Sequence, residues 1–170
     1  MKYLLLTFII LFSCNESAQR IAPEPKIGDE YQEGIIFYIY QPTDFYYVEN
    51  EVHGLIAAKE DLPDTYIWGC VMSSVPFSHK LGDGLYNTNI IRNICSNTNM
   101  ADACKDEWFI PNVTEFKEML KIKQLLNLKT DYYWTSSLIT SDQASSIRQD
   151  GNTNLLHVNY KLNVRPIKQF

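Results

Sequence analysis

An α+β fold with a mainly antiparallel sheet, two to three helices and long irregular loops is what this sequence predicts. Three observations carry that expectation. Near the start, "EGIIFYIY" is rich in β-branched and aromatic residues, the composition of a strand. In the middle, "PNVTEFKEML" carries its own helix-start signal. The final third then alternates and turns as β-structure does, around "QDGNTNLLHVNY". Strands, then helices, then strands is the order of an α+β domain rather than of repeated βαβ units. A chain of 170 residues is long enough for one domain with a real core and too short to assume two.

The opening "MKYLLLTFIILFSC" differs in kind from the rest. Lys2 is followed by an apolar run from Tyr3 to Phe12 and then by small Ser13 and Cys14. That run is too short to span a bilayer and has the length of a signal-peptide core. "LFSC" resembles the bacterial lipobox, whose cysteine is lipidated and becomes the new N-terminus, although Phe12 is bulkier than usual there. The expectation is a signal peptide over 1–13, a lipid on Cys14, and a tether over 14–26 in which Pro23 and Pro25 discourage burial. Two or more acyl chains suffice for stable anchoring. The expected location is therefore the bacterial cell envelope, at the outer membrane or cell surface, with the lipid as the only membrane contact.

The single folded domain is expected over 27–170. A strand over Glu33 to Tyr40 ends before Pro42, and "QPTDFYYVEN" is a loop that carries Phe45, Tyr46 and Tyr47. A second strand falls around Leu55 to Ala58. From Pro63 to Asn89 the chain lacks periodicity and is punctuated by Gly69, Pro76, Gly82 and Gly84, the mark of a long irregular excursion. Ile90, Ile91 and Ile94 have helical spacing, with Asn87 or Thr88 placed to cap. Met100, Ala101 and Cys104 suit a second short helix. Trp108 to Ile110 reads as a short strand that Pro111 ends.

Asn112 then lies three residues before Glu115, the spacing of a capping box, and Phe116, Met119, Leu120 and Leu126 give the following helix a buried face. "YYWTSS" opens the C-terminal sheet with Trp134 expected in the core. Asp150-Gly151 is a hairpin turn between "ASSIR" and "LLHVNY", where Leu156, Val158 and Tyr160 share an apolar face. In "VRPIKQF", Pro166 cannot donate to a ladder, which sends the last strand to an edge.

Charge and cysteine use narrow the chemistry. The net charge is −5 and no basic stripe exists, which argues against nucleic acid as a partner. With Cys14 assigned to lipid, Cys70, Cys95 and Cys104 remain, so an exported domain closes one pair and keeps one thiol. Cys70–Cys95 is favoured, with Cys104 packed as a small apolar residue; Cys95–Cys104 is the competing pair. The irregular cysteine spacing and the absence of a nearby His argue against zinc. Neither a metal nor a cofactor is expected.

The segments "IGDEYQEGIIFYI", "HGLIAA", "WGC", "NTNII", "WFIPNVTEF", "YYWTSS" and "VRPIKQF" stand in the order of one known family. Over Ile27 to Phe170 the chain resembles the Lcl C-terminal domain family, most closely its single-domain lipoprotein members. The resemblance implies a C-type-lectin-like fold and a role in recognition, since such domains form the sugar-polymer-binding end of collagen-like adhesins. The sequence departs from the family pattern at "CKDE", which replaces a longer loop, and at "ASSIRQDG", which lacks an aromatic residue. Both departures fall near the surface where a ligand is expected.

Enzymatic routes fare poorly. Ser136 or Ser137 with His157 and an Asp form a triad only on paper, because no strained nucleophile turn surrounds the serines. The cysteines do not reproduce the close pair of formylglycine-generating enzymes. Calcium-dependent lectin chemistry lacks converging oxygen ligands, since "QPTD" lies too early in the chain and has no late partner loop. Recognition without chemistry remains, with a glycan or a surface protein as partner. The candidate ligand-binding residues are Asn152, Asn154, His157, Asn159, Tyr160, Lys161 and Asn163, where amides and one aromatic face lie close together. An assembly component that packs against a protein, with Phe45 to Tyr47 as the exposed patch, is the alternative.

Overall fold

Three antiparallel sheets enclose two hydrophobic cores in a computed structural model that describes residues 24–73, 77–96 and 98–170. The signal peptide, Cys14 and the tether up to residue 23 lie outside the described residues. Strands β1 (Glu30–Tyr31), β2 (Gly34–Ile39) and β3 (Gly54–Ala58) pair in sequence. The C-terminal β9 (Ile167–Gln169) joins them at the outer side of β3, so the order is β1-β2-β3-β9. The edge position expected from Pro166 is thus observed, and the proline sits just before the ladder, offering its carbonyl to Ala58 N–H.

A second pair joins β4 (Tyr66–Ile67) to β8 (Lys161–Leu162), and a third sheet runs β5 (Tyr133–Leu138), β6 (Gln143–Ile147) and β7 (Thr153–His157). Single bridges at Phe109–Ile167 and Tyr133–Asn163 stitch these sheets together. The helices are α1 (Gly84–Ile94), α2 (Met100–Ala103), α3 (Val113–Met119) and α4 (Lys123–Leu126), the last two joined through a 3-10 turn at Leu120–Ile122. Among the described residues no helix is long and apolar enough to cross a membrane.

The capping box forms as the spacing predicts. Asn112 Oδ1 accepts from Thr114 and Glu115 N–H, and the Glu115 carboxylate accepts from Asn112 N–H at 2.7 Å. Its other oxygen takes Gly82 and Gly84 N–H, which ties the start of α1 to the start of α3. Gly84 has no room for a side chain, because a Cβ there would lie 2.2 Å from Glu115 Oε2.

The cap expected at Asn87 or Thr88 is corrected. The helix begins one turn earlier, after Asp83, and both residues are fully buried inside it. Thr88 Oγ1 donates to Gly84 O and accepts from Ile110 N–H, while Asn87 bonds both backbone groups of Ser78. Tertiary partners thus took over the polar groups that suggested a cap. The strand expected over Trp108 to Ile110 shrinks to one bridging residue, Phe109.

One core lies between the four-stranded sheet and α3–α4, around Phe37, Leu55, Phe116 and Tyr133. The other gathers Trp68, Ile91, Met100, Trp134, Val158 and Val164. "YYWTSS" spans both, because Tyr133 faces the first and Trp134 the second. Residues 133–137 are buried without exception, so neither face of that strand offers a binding platform. Two indoles lock it in place: Trp134 Nε1 donates to Tyr66 O at 2.9 Å, and Trp68 Nε1 donates to Thr135 O at 2.8 Å.

Candidate functional site

The C-terminal hairpin holds most of the residues that the sequence nominates, and several of their polar groups bond within it. Asn152 bonds both carboxylate oxygens of Asp150 through its side chain and its backbone N–H. Asn154 Oδ1 accepts from Leu155 N–H, and His157 Nδ1 accepts from Asn159 N–H. Asn163 is buried, accepting from Lys129 Nζ at 3.1 Å and donating to Tyr132 O at 3.3 Å; it is a brace between strands and not a surface ligand. Tyr160 does not extend the apolar face of β7, because the strand ends at His157 and the following turn leaves it 58% exposed. Lys161, among them, lines a cavity.

That cavity is one of two adjoining ones, of about 570 and 410 Å³, which share Tyr66 and Thr98. Both volumes fall within the range of roughly 300–1,000 Å³ typical of small-molecule sites. The larger is lined by Leu62, Pro63 and Tyr66 together with Ala103, Cys104 and Trp108. Glu60, Asp102 and Lys105 stand at its rim. Asp64, Thr65 and Lys161 line the smaller one. The two form a groove with aromatic and apolar sides and charged edges.

Irregular backbone needs holding, and each wall has its clamp. Arg92, near the end of α1, donates to the carbonyls of Ala101 (3.0 Å), Cys104 (2.7 Å) and Trp108 (3.1 Å). Ala101 and Cys104 offer carbonyls at the end of α2, Trp108 one from the chain beyond it, and a guanidinium fork takes all three. Asn99 Oδ1 caps the start of α2 by accepting from Ala101 and Asp102 N–H, and its amide holds the Asp102 carboxylate at 2.9 Å. The Cys70–Cys95 disulfide, as favoured from the sequence, ties the irregular excursion to the end of α1 with Cα atoms 5.5 Å apart.

On the opposite wall, Arg165 is 1% exposed and donates to Asp61 Oδ1 at 2.8 Å, to Leu126 O and to Ala58 O. Tyr133 Oη donates to the other Asp61 oxygen at 3.0 Å. Leu62 N–H reaches Val164 O, which fixes the chain as it enters the groove.

Little in the groove is poised for chemistry. Cys104 is the free cysteine among the described residues; burial pushes its thiol up to about 12 despite Arg92, so it stays protonated. Burial also raises the Tyr66 hydroxyl, helped by Asp64 and Cys104. The paper triad does not assemble: His157 sits at the end of β7 against Asn159, whereas Ser137 Oγ accepts from Val113 N–H and meets His79 Nδ1 at 3.2 Å. Ser136 Oγ is buried without a hydrogen-bond partner. Among the described residues no group of three or more His, Cys, Asp or Glu side chains is placed to hold a metal ion.

Sequence reasoning missed Tyr66, Trp108 and Arg92. Tyr66 lay in a segment without periodicity, and Trp108 was assigned to a strand. No local signal marks Arg92, whose three carbonyl partners lie nine to sixteen residues further along. No family model matches this chain, and no curated protein is similar to it.

Proposed function

We propose that this protein is a non-enzymatic recognition module with a C-type-lectin-like fold, held at the bacterial cell envelope by a lipid on Cys14, with a glycan or a surface protein as its ligand. The groove between Tyr66 and Trp108 is the observation that carries this reading, because both rings line a preformed cavity whose backbone is clamped from both sides. The α+β architecture, the mainly antiparallel pairing and the ordered family-like motifs support the fold assignment. The lipobox-like "LFSC" supports the anchor.

Recognition and anchoring are tested separately. A glycan array and a pull-down from envelope material, run with wild type and with a Tyr66→Ala, Trp108→Ala double variant, should give binding that the variant loses. Blank results with wild type at high concentration contradict recognition. Mass spectrometry of the membrane fraction should find acyl chains on Cys14, and Cys14→Ala should release the protein from that fraction.

A second reading, an assembly component packed against a protein, is favoured by Phe45, which is 86% exposed, and by Val48 at 44% on the same loop. Phe45→Ser should then abolish partner co-purification while groove variants leave it intact.

A further inference from the structure

We propose that the groove takes a neutral, hydroxyl-rich oligosaccharide and discriminates against polyanionic glycans. This rests on the groove being the recognition site and names the chemistry that it would recognise. Three features argue for it.

The first is aromatic. Tyr66 and Trp108 both line the larger cavity and are half-buried, so each ring is partly fixed and partly open. The C–H face of a pyranose stacks on such rings, and rigid aromatics order at low entropic cost. The second is the rim, which carries charges of both signs: Glu60, Asp64 and Asp102 with Lys105 and Lys161. Carboxylates accept from sugar hydroxyls and ammonium groups donate to them, so a ligand that is donor and acceptor at every carbon suits this rim. A sulfated or uronate chain would face three carboxylates against two lysines, on a chain of net charge −5.

The third feature is length. The two cavities share Tyr66 and Thr98, which places a second polar compartment beside the apolar one. Consecutive sugar units can occupy them in turn, one against an aromatic ring and the next hydrogen-bonded among Asp64, Thr65 and Lys161.

The test is an array of short neutral homo-oligosaccharides of glucose, mannose, galactose and N-acetylglucosamine beside heparin fragments and oligouronates, followed by calorimetry on every ligand that binds. At least one neutral oligosaccharide should bind wild type. Tyr66→Ala and Trp108→Ala should weaken it roughly tenfold or more, whereas Tyr66→Phe and Trp108→Phe should retain most of the affinity. Raising salt from about 0.05 to about 0.5 M should change the neutral Kd less than about twofold, since no net charge is neutralised.

Tight binding of a polyanion that salt weakens about tenfold and that Lys161→Glu abolishes would overturn the neutral ligand while leaving recognition at the groove intact. Loss of binding to no ligand in any ring variant would remove the groove reading as well. An array blank for neutral sugars, or a peptide bound through the two rings in their place, overturns the proposal.

Discussion

The β6–β7 hairpin and the Tyr66–Trp108 groove are both surface regions with polar and aromatic side chains, and they differ in where their hydrogen bonds come from. In the hairpin the turn closes on itself: Asp150, Asn152, Asn154 and His157 each find a hydrogen-bond partner within a few residues. In the groove the stabilising bonds come from behind, from Arg92, Arg165 and Trp134, and leave the lining side chains facing an open cavity. Local hydrogen bonds take up part of what a dense cluster of polar residues could otherwise give to a partner. Irregular backbone leaves a cavity when distant side chains hold it open.

The sharpest way to break the groove side of this contrast is to remove its buried ion pair. Asp61→Ala leaves Arg165 charged and 1% exposed with its carboxylate gone. Unfolding in denaturant should show a loss of about 3–5 kcal/mol. A loss below about 1 kcal/mol would mean that the pair does not hold this wall. Next comes the disulfide, which encloses a sequence separation of 25. Cys70→Ser with Cys95→Ser should cost about 3 kcal/mol and lower ligand affinity, because the loop that bears Thr98 is released.

Glu115 supplies a prediction in pH. Its side chain is fully buried, and burial pushes the carboxyl up to about 7 from 4.5, against the pull of Gly84, Asn112 and Gly82 N–H. Between those two values the unfolded chain releases the proton and the folded chain keeps it. Its contribution is therefore complete below pH about 4.5 and is lost as pH rises through about 7, by up to about 3 kcal/mol. Glu115→Gln should flatten that limb of the stability profile and cost about 1–3 kcal/mol at pH 5, since an amide N–H₂ then meets a backbone donor. The smallest effect belongs to the hairpin: Asn154→Ala and Asn159→Ala should each change stability by less than about 0.5 kcal/mol and leave ligand affinity unaltered.

Where neighbouring residues decide structure, the sequence was legible. The capping box of Asn112 and Glu115, the Asp150-Gly151 turn, the strands at β2 and β3 and the edge placement of "PIKQF" all rest on contacts within a few residues or on what a proline forbids. Cysteine arithmetic favoured Cys70 with Cys95 and left Cys95–Cys104 open; the fold closes the first pair. Long-range choices were not legible. Asn163 looks like a surface amide until Lys129 and Tyr132 arrive from elsewhere in the fold, and Thr88 looks like a cap until Ile110 takes its hydroxyl. The groove was hidden for the same reason, since its two walls come from residues 58–66 and 98–108 and its clamps from Arg92 and Arg165.

The claim that the groove and not the hairpin is the recognition surface is tested most directly by a two-dimensional amide NMR titration with the neutral oligosaccharide that binds best. Shifts should concentrate at Tyr66, Thr98, Trp108 and Lys161, including the Trp108 indole signal. Shifts confined to Thr153–Asn159, with the Trp108 indole unmoved, would contradict it.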